Sequence, residues 1–294
     1  MEFLAILIAW GAVQLWGSGG AVQRDEWLQR YSGWLKSLPS PALRITLLVL
    51  PPALLVALAV EALRDWVFGL PALLMSLAIL LYSLGRGDFQ IQLRLYLNSW
   101  QRGDLAGAYR HGQHFSEELC DSGADNALEL HHSVRQAVFY QGFERWFAVV
   151  FWFVLLGAGG ALAYRILFLA ARHRATGCQQ EDRNLAAQAL FYIEWLPVRL
   201  LGFAFALIGH FDDSFAAWRR HSFAGVAGAN DEGLGSAEYL DAVGSKAVSV
   251  RLPEGQVDGD CFTRTAADQL SAVQQLLSRS LLCWVAVLAV LEIF

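Results

Sequence analysis

Apolar residues along this chain gather into blocks instead of alternating with polar ones. Nineteen uncharged residues run from Trp146 to Tyr164, WFAVVFWFVLLGAGGALAY. At a helical rise of about 1.5 Å per residue the block approaches the ~30 Å hydrocarbon core of a bilayer. Further blocks lie at 3–17, 43–63, 66–84, 190–209 and 276–294. A soluble domain interleaves its apolar positions along each helix, so concentrated blocks predict an integral membrane protein. No stretch alternates as a strand does. The expected fold class is all-α: a polytopic membrane helical bundle of about four to six spans with a helical cytoplasmic extension.

Between the blocks the pattern is finer. In the polar region 85–145, Phe89, Leu93, Tyr96, Leu97 and Trp100 share one helical face, and Leu128, Val134, Val138 and Phe139 suggest another. Arg102-Gly103-Asp104 marks a turn into a helix starting near Leu105. The blocks at 43–63 and 66–84 read as a hairpin turning near Asp65–Gly69, with a kink expected at Pro51-Pro52. Glycines and acids from 222 to 262 predict a loop holding a short helix near 236–243. Thr265-x-x-Asp268 resembles a capping box opening the last helix. The organisation expected is membrane spans over 1–84, a polar helical region over 85–145, spans with charged residues over 146–221, the acidic loop 222–262, and a last helix over 263–294. The first block lacks a basic leader and a cleavage site, so it reads as a retained span of about 22 Å.

Charge narrows the partners. The chain carries net charge −5 and only two lysines, Lys36 and Lys246, with no basic run, which argues against nucleic acid. Its four cysteines form no CxxC pair, so neither a disulfide framework nor a zinc knuckle is indicated. With six spans and the N-terminus outside, basic residues near span ends divide thirteen inside to five outside, the five being Arg64, Arg165, Arg172, Arg174 and Arg183.

Candidate chemistry centres on 190–222. Glu194 and Arg199 sit in an apolar helix interrupted by Pro197. A charge at mid-bilayer costs about 2.5–3.5 kcal/mol on insertion scales, so such groups face a cavity, a partner or an interface. Five positions separate them by about 140° on an ideal helix; an interfacial helix and an internal polar site both remain open. Gly157, Gly159 and Gly160 offer a small-residue surface for internal packing or for a foreign helix or lipid. His210 caps carbonyls or touches ligand. His111 and His114, near Glu117, Glu118 and Cys120, with His131-His132 beyond, are either a metal cluster or a solvated face. Neither lysine follows a P-loop glycine pattern, and no G-x-S-x-G or H-E-x-x-H occurs.

The run E-W-x-P-V-R-L from Glu194 to Leu200, A-L-I-G-H ending at His210, and Tyr96-Leu97 with Arg102-Gly103-Asp104 resemble the AmpE family of bacterial inner-membrane proteins. That resemblance implies a role in β-lactamase induction as a membrane sensor or signal modulator. G-A-L-A-Y-R, Gly160 to Arg165, is similar to the CobD/CbiB membrane synthases of cobalamin formation, but Phe168 and Leu169 stand where that family carries polar groups. Of its acidic pattern Glu144 survives. The expectation is a non-catalytic regulator that receives a membrane lipid, a partner transmembrane helix or a lipid-linked cell-wall precursor around Glu194, Arg199 and Arg165, with no cofactor and no metal. The alternatives are a synthase or transferase using Glu144, and a transporter, for which no internal repeat is found.

Overall fold

A computed structural model describes residues 2–16, 23, 25–85, 89–115, 126–173, 176–224, 234–250, 252 and 260–293. Among these residues every regular element is helical and none is a strand, as the blocks predict. Four helical stretches are long and apolar enough to cross a membrane: Pro41–Leu63, Ala127–Arg172, Gln180–Ile208 and Cys261–Val290. The first and third blocks form shorter apolar helices, Phe3–Val13 and Val67–Ser83. The chain forms two compact units, one of residues 1–87 and 144–197, the other of 88–143 and 198–293.

The first unit holds α1 (Glu2–Trp16), α2 (Glu26–Leu35), α3 (Pro41–Leu63), α4 (Leu70–Ser83) and α8 (Ala148–Arg172). Helices α3 and α4 pack as the expected hairpin. Its turn is tighter than the sequence suggests: Val67, Phe68 and Gly69 all take positive φ, at 40°, 57° and 74°. Helix α3 continues through Pro51 and Pro52 without a break. Pro51 removes the N–H that would bind the Leu47 carbonyl four residues back. Tyr31 of α2 donates its hydroxyl to that carbonyl at 2.7 Å.

Helix α8 departs from the expected straight span. Gly157 takes φ 67° and ψ −161°, a conformation open to glycine and closed to residues with a Cβ. A straight helix would hold residues 144 and 165 about 32 Å apart, yet Arg165 Nη1 reaches Glu144 Oε2 at 3.0 Å. A Cβ on Gly160 would stand 2.6 Å from the carbonyl of Trp152, two turns earlier in sequence. The chain therefore doubles back at Gly157, with arms Ala148–Leu156 and Ala158–Arg172 of about 14 and 22 Å. The chain on either side of the hairpin meets the same end of the α3–α4 pair. Gly85, just past α4, donates to the Arg145 carbonyl at 3.2 Å, and Arg44, at the start of α3, pairs at 2.8 Å with Asp182, which follows the returning arm in the next helix. The nineteen-residue block is thus a helical hairpin turned at Gly157 within a stretch that is long and apolar enough to cross a membrane.

The second unit holds α5 (Phe89–Gln101), α6 (Leu105–Gly112), α7 (Ala127–Gly142), α10 (Phe211–Ala224), α11 (Ser236–Ala247) and α12 (Asp260–Ile293). Leu93, Tyr96 and Trp100 of the predicted α5 face are buried, and so are Val134, Val138 and Phe139 of α7, whereas Leu128 is exposed. Asp104 caps α6, accepting from the Gly107 amide at 2.8 Å, with Gly103 at φ 72° in the turn. The short helix expected near 236–243 is α11, and its Tyr239, Leu240, Asp241, Val243 and Gly244 are buried. Thr265 does not open a helix. It lies inside α12 and donates to the Cys261 carbonyl at 2.8 Å, the back-bond that threonine makes in helix interiors. Helix α9 (Gln180–Ile208) passes from the first unit to the second and runs through Pro197 without interruption.

Candidate functional site

Charged groups lie deep inside the first unit. Glu144 sits in a π-helical turn, Phe143–Phe147, that precedes α8. Such turns widen the helix and re-aim side chains, and they recur at functional positions. The Arg165 side chain is 1% exposed and the Glu144 side chain 9%. Taking both from water is costly, so their pairing is what makes either tolerable. Arg165 also stacks its guanidinium over the Phe168 ring at 5.0 Å, while its Nε is buried without a hydrogen bond. Phe168, which departs from the cobalamin-family pattern, thus supplies a face for the arginine.

Glu194 is buried as well, and accepts the Tyr164 hydroxyl at 2.9 Å. Tyr164 and Arg165 are adjacent on the returning arm of the hairpin, each addressing a different carboxylate. Arg199 belongs to the second unit. There its Nε donates to the Ser222 carbonyl at 3.2 Å, its guanidinium lies 5.2 Å from the centre of the Tyr239 ring, and its own carbonyl accepts from Trp218 Nε1 at 2.9 Å. One helix carries both Glu194 and Arg199, with Tyr164 bonded to the first and Ser222, Tyr239 and Trp218 around the second. His210 is exposed, and it caps with its backbone: its N–H donates to the Ala247 carbonyl at 3.0 Å, and its carbonyl receives the Ser214 hydroxyl.

The three glycines divide their work. Gly159 packs α8 on α3, where a Cβ would stand 2.7 Å from the Ala53 carbonyl. Gly160 closes against its own hairpin, and Gly157 makes the turn.

A second polar cluster, in the second unit, escaped the sequence reading. Arg135 holds Asp241 in a bidentate pair at 2.7 and 2.9 Å and donates to Gln269 Oε1 at 3.1 Å. Gln269 gives its amide N–H to the Val250 carbonyl at 3.0 Å. Its oxygen therefore faces His131, whose Nε2 lies 2.8 Å away and must carry the proton. Nδ1 of His131 is then a buried acceptor with no partner. Burial, reinforced by the nearby Arg135 charge, pulls the His131 pKa down to about 4 despite the Gln269 bond. Only the pairing of Arg135 with an acid a hundred residues away would have exposed this cluster, and periodicity does not report that. Of the expected histidine cluster, His111 is half-buried and His114 exposed, while Glu117, Glu118 and Cys120 lie outside the described residues. Among the described residues no three His, Cys, Asp or Glu side chains converge as a metal site.

A family profile described as "Regulatory signalling modulator protein AmpE" matches residues 1–229. Protein AmpE of Shigella flexneri is 28% identical over 169 residues, covering 55% of this chain and 58% of that protein. Cobalamin biosynthesis protein CobD of Chromobacterium violaceum is 34% identical over 89 residues, 29% of this chain and 28% of that protein. The chain thus spans a little over half the length of the first relative and over a quarter of the second. No solved structure matches. The profile takes in the buried pair, the hairpin turned at Gly157 and Glu194 together, and the chain belongs to the AmpE family.

Proposed function

We propose that this protein is a multi-pass regulatory protein of the bacterial inner membrane that acts in β-lactamase induction and the response to cell-wall antibiotics. Membership in a family of regulatory signalling modulators carries this reading. The buried charges support it. Arg165 and Tyr164, adjacent on one arm of a hairpin inside an apolar unit, hold Glu144 and Glu194 respectively, so a displacement of that arm acts on both carboxylates. A membrane-embedded ligand, such as a partner transmembrane helix or a lipid-linked cell-wall precursor, is the input that such an arrangement reads.

The test is genetic and direct. Deleting the gene in a host with an inducible β-lactamase is expected to alter induced activity at least several-fold. Arg165→Met with Glu144→Leu, inserted at normal levels, should fail to restore it. Unchanged induction on deletion would overturn the proposal.

The likeness to a CobD protein over 89 residues favours a second reading, a membrane synthase or transferase acting on a phosphorylated substrate. Glu144, its one surviving acid, is engaged by Arg165, which weighs against it as a metal ligand. That reading requires Mg²⁺-dependent turnover which Glu144→Ala abolishes.

A further inference from the structure

An apolar cavity of about 630 Å³ opens in the first unit between α2, α3, α4 and the returning arm of α8. Trp27 and Tyr31 of α2, Pro51 and Pro52 of α3, Tyr82 of α4 and Leu162 of α8 are among its walls. Its size falls in the range of small-molecule sites, but its chemistry is one-sided. Each polar side chain in the wall uses its donor within the protein. Trp27 Nε1 donates to the Tyr82 hydroxyl at 3.1 Å, Tyr82 donates to Asp25 at 3.0 Å, and Tyr31 donates to the Leu47 carbonyl. A headgroup, sugar or phosphate entering here would give up its water for walls without a spare donor. A hydrocarbon chain would lose nothing.

The position of α2 argues the same way. Leu28 and Ser32 are buried against the protein while Glu26, Arg30 and Trp34 are exposed, so α2 lies across the unit with one side covered. Its aromatic residues form the roof of the cavity. Pro51 and Pro52 of α3 set apolar rings in the opposite wall, and Tyr31 takes the Leu47 carbonyl that Pro51 frees.

We propose that this cavity holds one hydrocarbon tail of a membrane lipid, seated beneath α2 against Pro51-Pro52 with the headgroup outside. The proposal requires that the first unit be immersed in lipid; it requires no part in β-lactamase induction.

The test uses the full chain in nanodiscs of phospholipid bearing a diazirine midway along one acyl chain, with photolabelled residues mapped by mass spectrometry. Val56, Ile79 and Leu162, which line the cavity, are expected to label at least as strongly as the outward-facing Leu58 and Leu74. Filling the cavity with Ile79→Trp, or independently with Val56→Phe, should cut labelling of the other cavity positions about fivefold and leave Leu58 and Leu74 unchanged. Cavity labelling far below that of Leu58 and Leu74, or cavity labelling indifferent to both substitutions in folded protein, overturns the seated tail. Absence of labelling at Leu58 and Leu74 as well overturns the placement in a bilayer, and the proposal with it. Altered induction in the deletion strain speaks only to the regulatory reading.

Discussion

A guanidinium removed from water is stable only beside a carboxylate that has been removed with it. Arg165→Met alone leaves Glu144 buried and unpaired, and is expected to cost about 3–5 kcal/mol. Adding Glu144→Leu should restore most of that, both read as apparent melting temperatures in mild detergent. The recovery would mark the pair as an exchangeable closure of the hairpin base, so that a lost signal in the double variant reports on function, separately from folding. His131 makes a prediction of the opposite electrical kind. Its folded pKa of about 4 lies below the ordinary value of 6.5, so the unfolded chain binds the proton first as pH falls. The stability that depends on neutral His131 is full above about pH 6.5 and is lost as pH drops toward about 4, a change of roughly 3 kcal/mol. His131→Phe should flatten that part of the stability profile, because Trp100 and Phe262 already offer aromatic neighbours.

At the scale of elements, glycine decides how closely two helices approach and where one of them turns. Gly159→Ala forces a Cβ against the Ala53 backbone and should destabilise by about 1–3 kcal/mol. Gly33→Ala, in α2 with open space around it, should instead stabilise by up to about 1 kcal/mol. Thermal unfolding of the two variants side by side separates packing from propensity. Gly157→Ala meets a different obstacle: its backbone conformation admits no Cβ, and a cost of about 1–3 kcal/mol is expected. The block of 146–164 shows why composition alone does not reveal the reversal. Hydropathy sees uncharged residues on either side of Gly157 and cannot tell a crossing from a reversal. The second signal was a charge pair spaced too far for one straight helix, and it appears only once the fold has formed.

For the whole molecule, the reversal fixes sidedness. Cysteines introduced at Ser40 and His173 in a cysteine-free background should react with an impermeant maleimide from the same face of the membrane, and Val67→Cys from the other. A straight α8 would put His173 with Val67. Much of the architecture was legible beforehand: the α3–α4 hairpin, the α5 face of Leu93, Tyr96 and Trp100, the Asp104 turn and the long final helix all follow from local pattern and cap chemistry. The partnerships were not legible. Glu194 with Tyr164, and Arg135 with Asp241, join positions whose sequence distance says nothing of their proximity. Tyr31 carries such a partnership into the behaviour of the molecule. Its hydroxyl covers the carbonyl that Pro51 leaves bare, so α2 cannot lift from α3 without leaving that backbone oxygen uncovered. The two helices are latched together, and in amide hydrogen exchange α2 and the stretch of α3 around its prolines should open as one event.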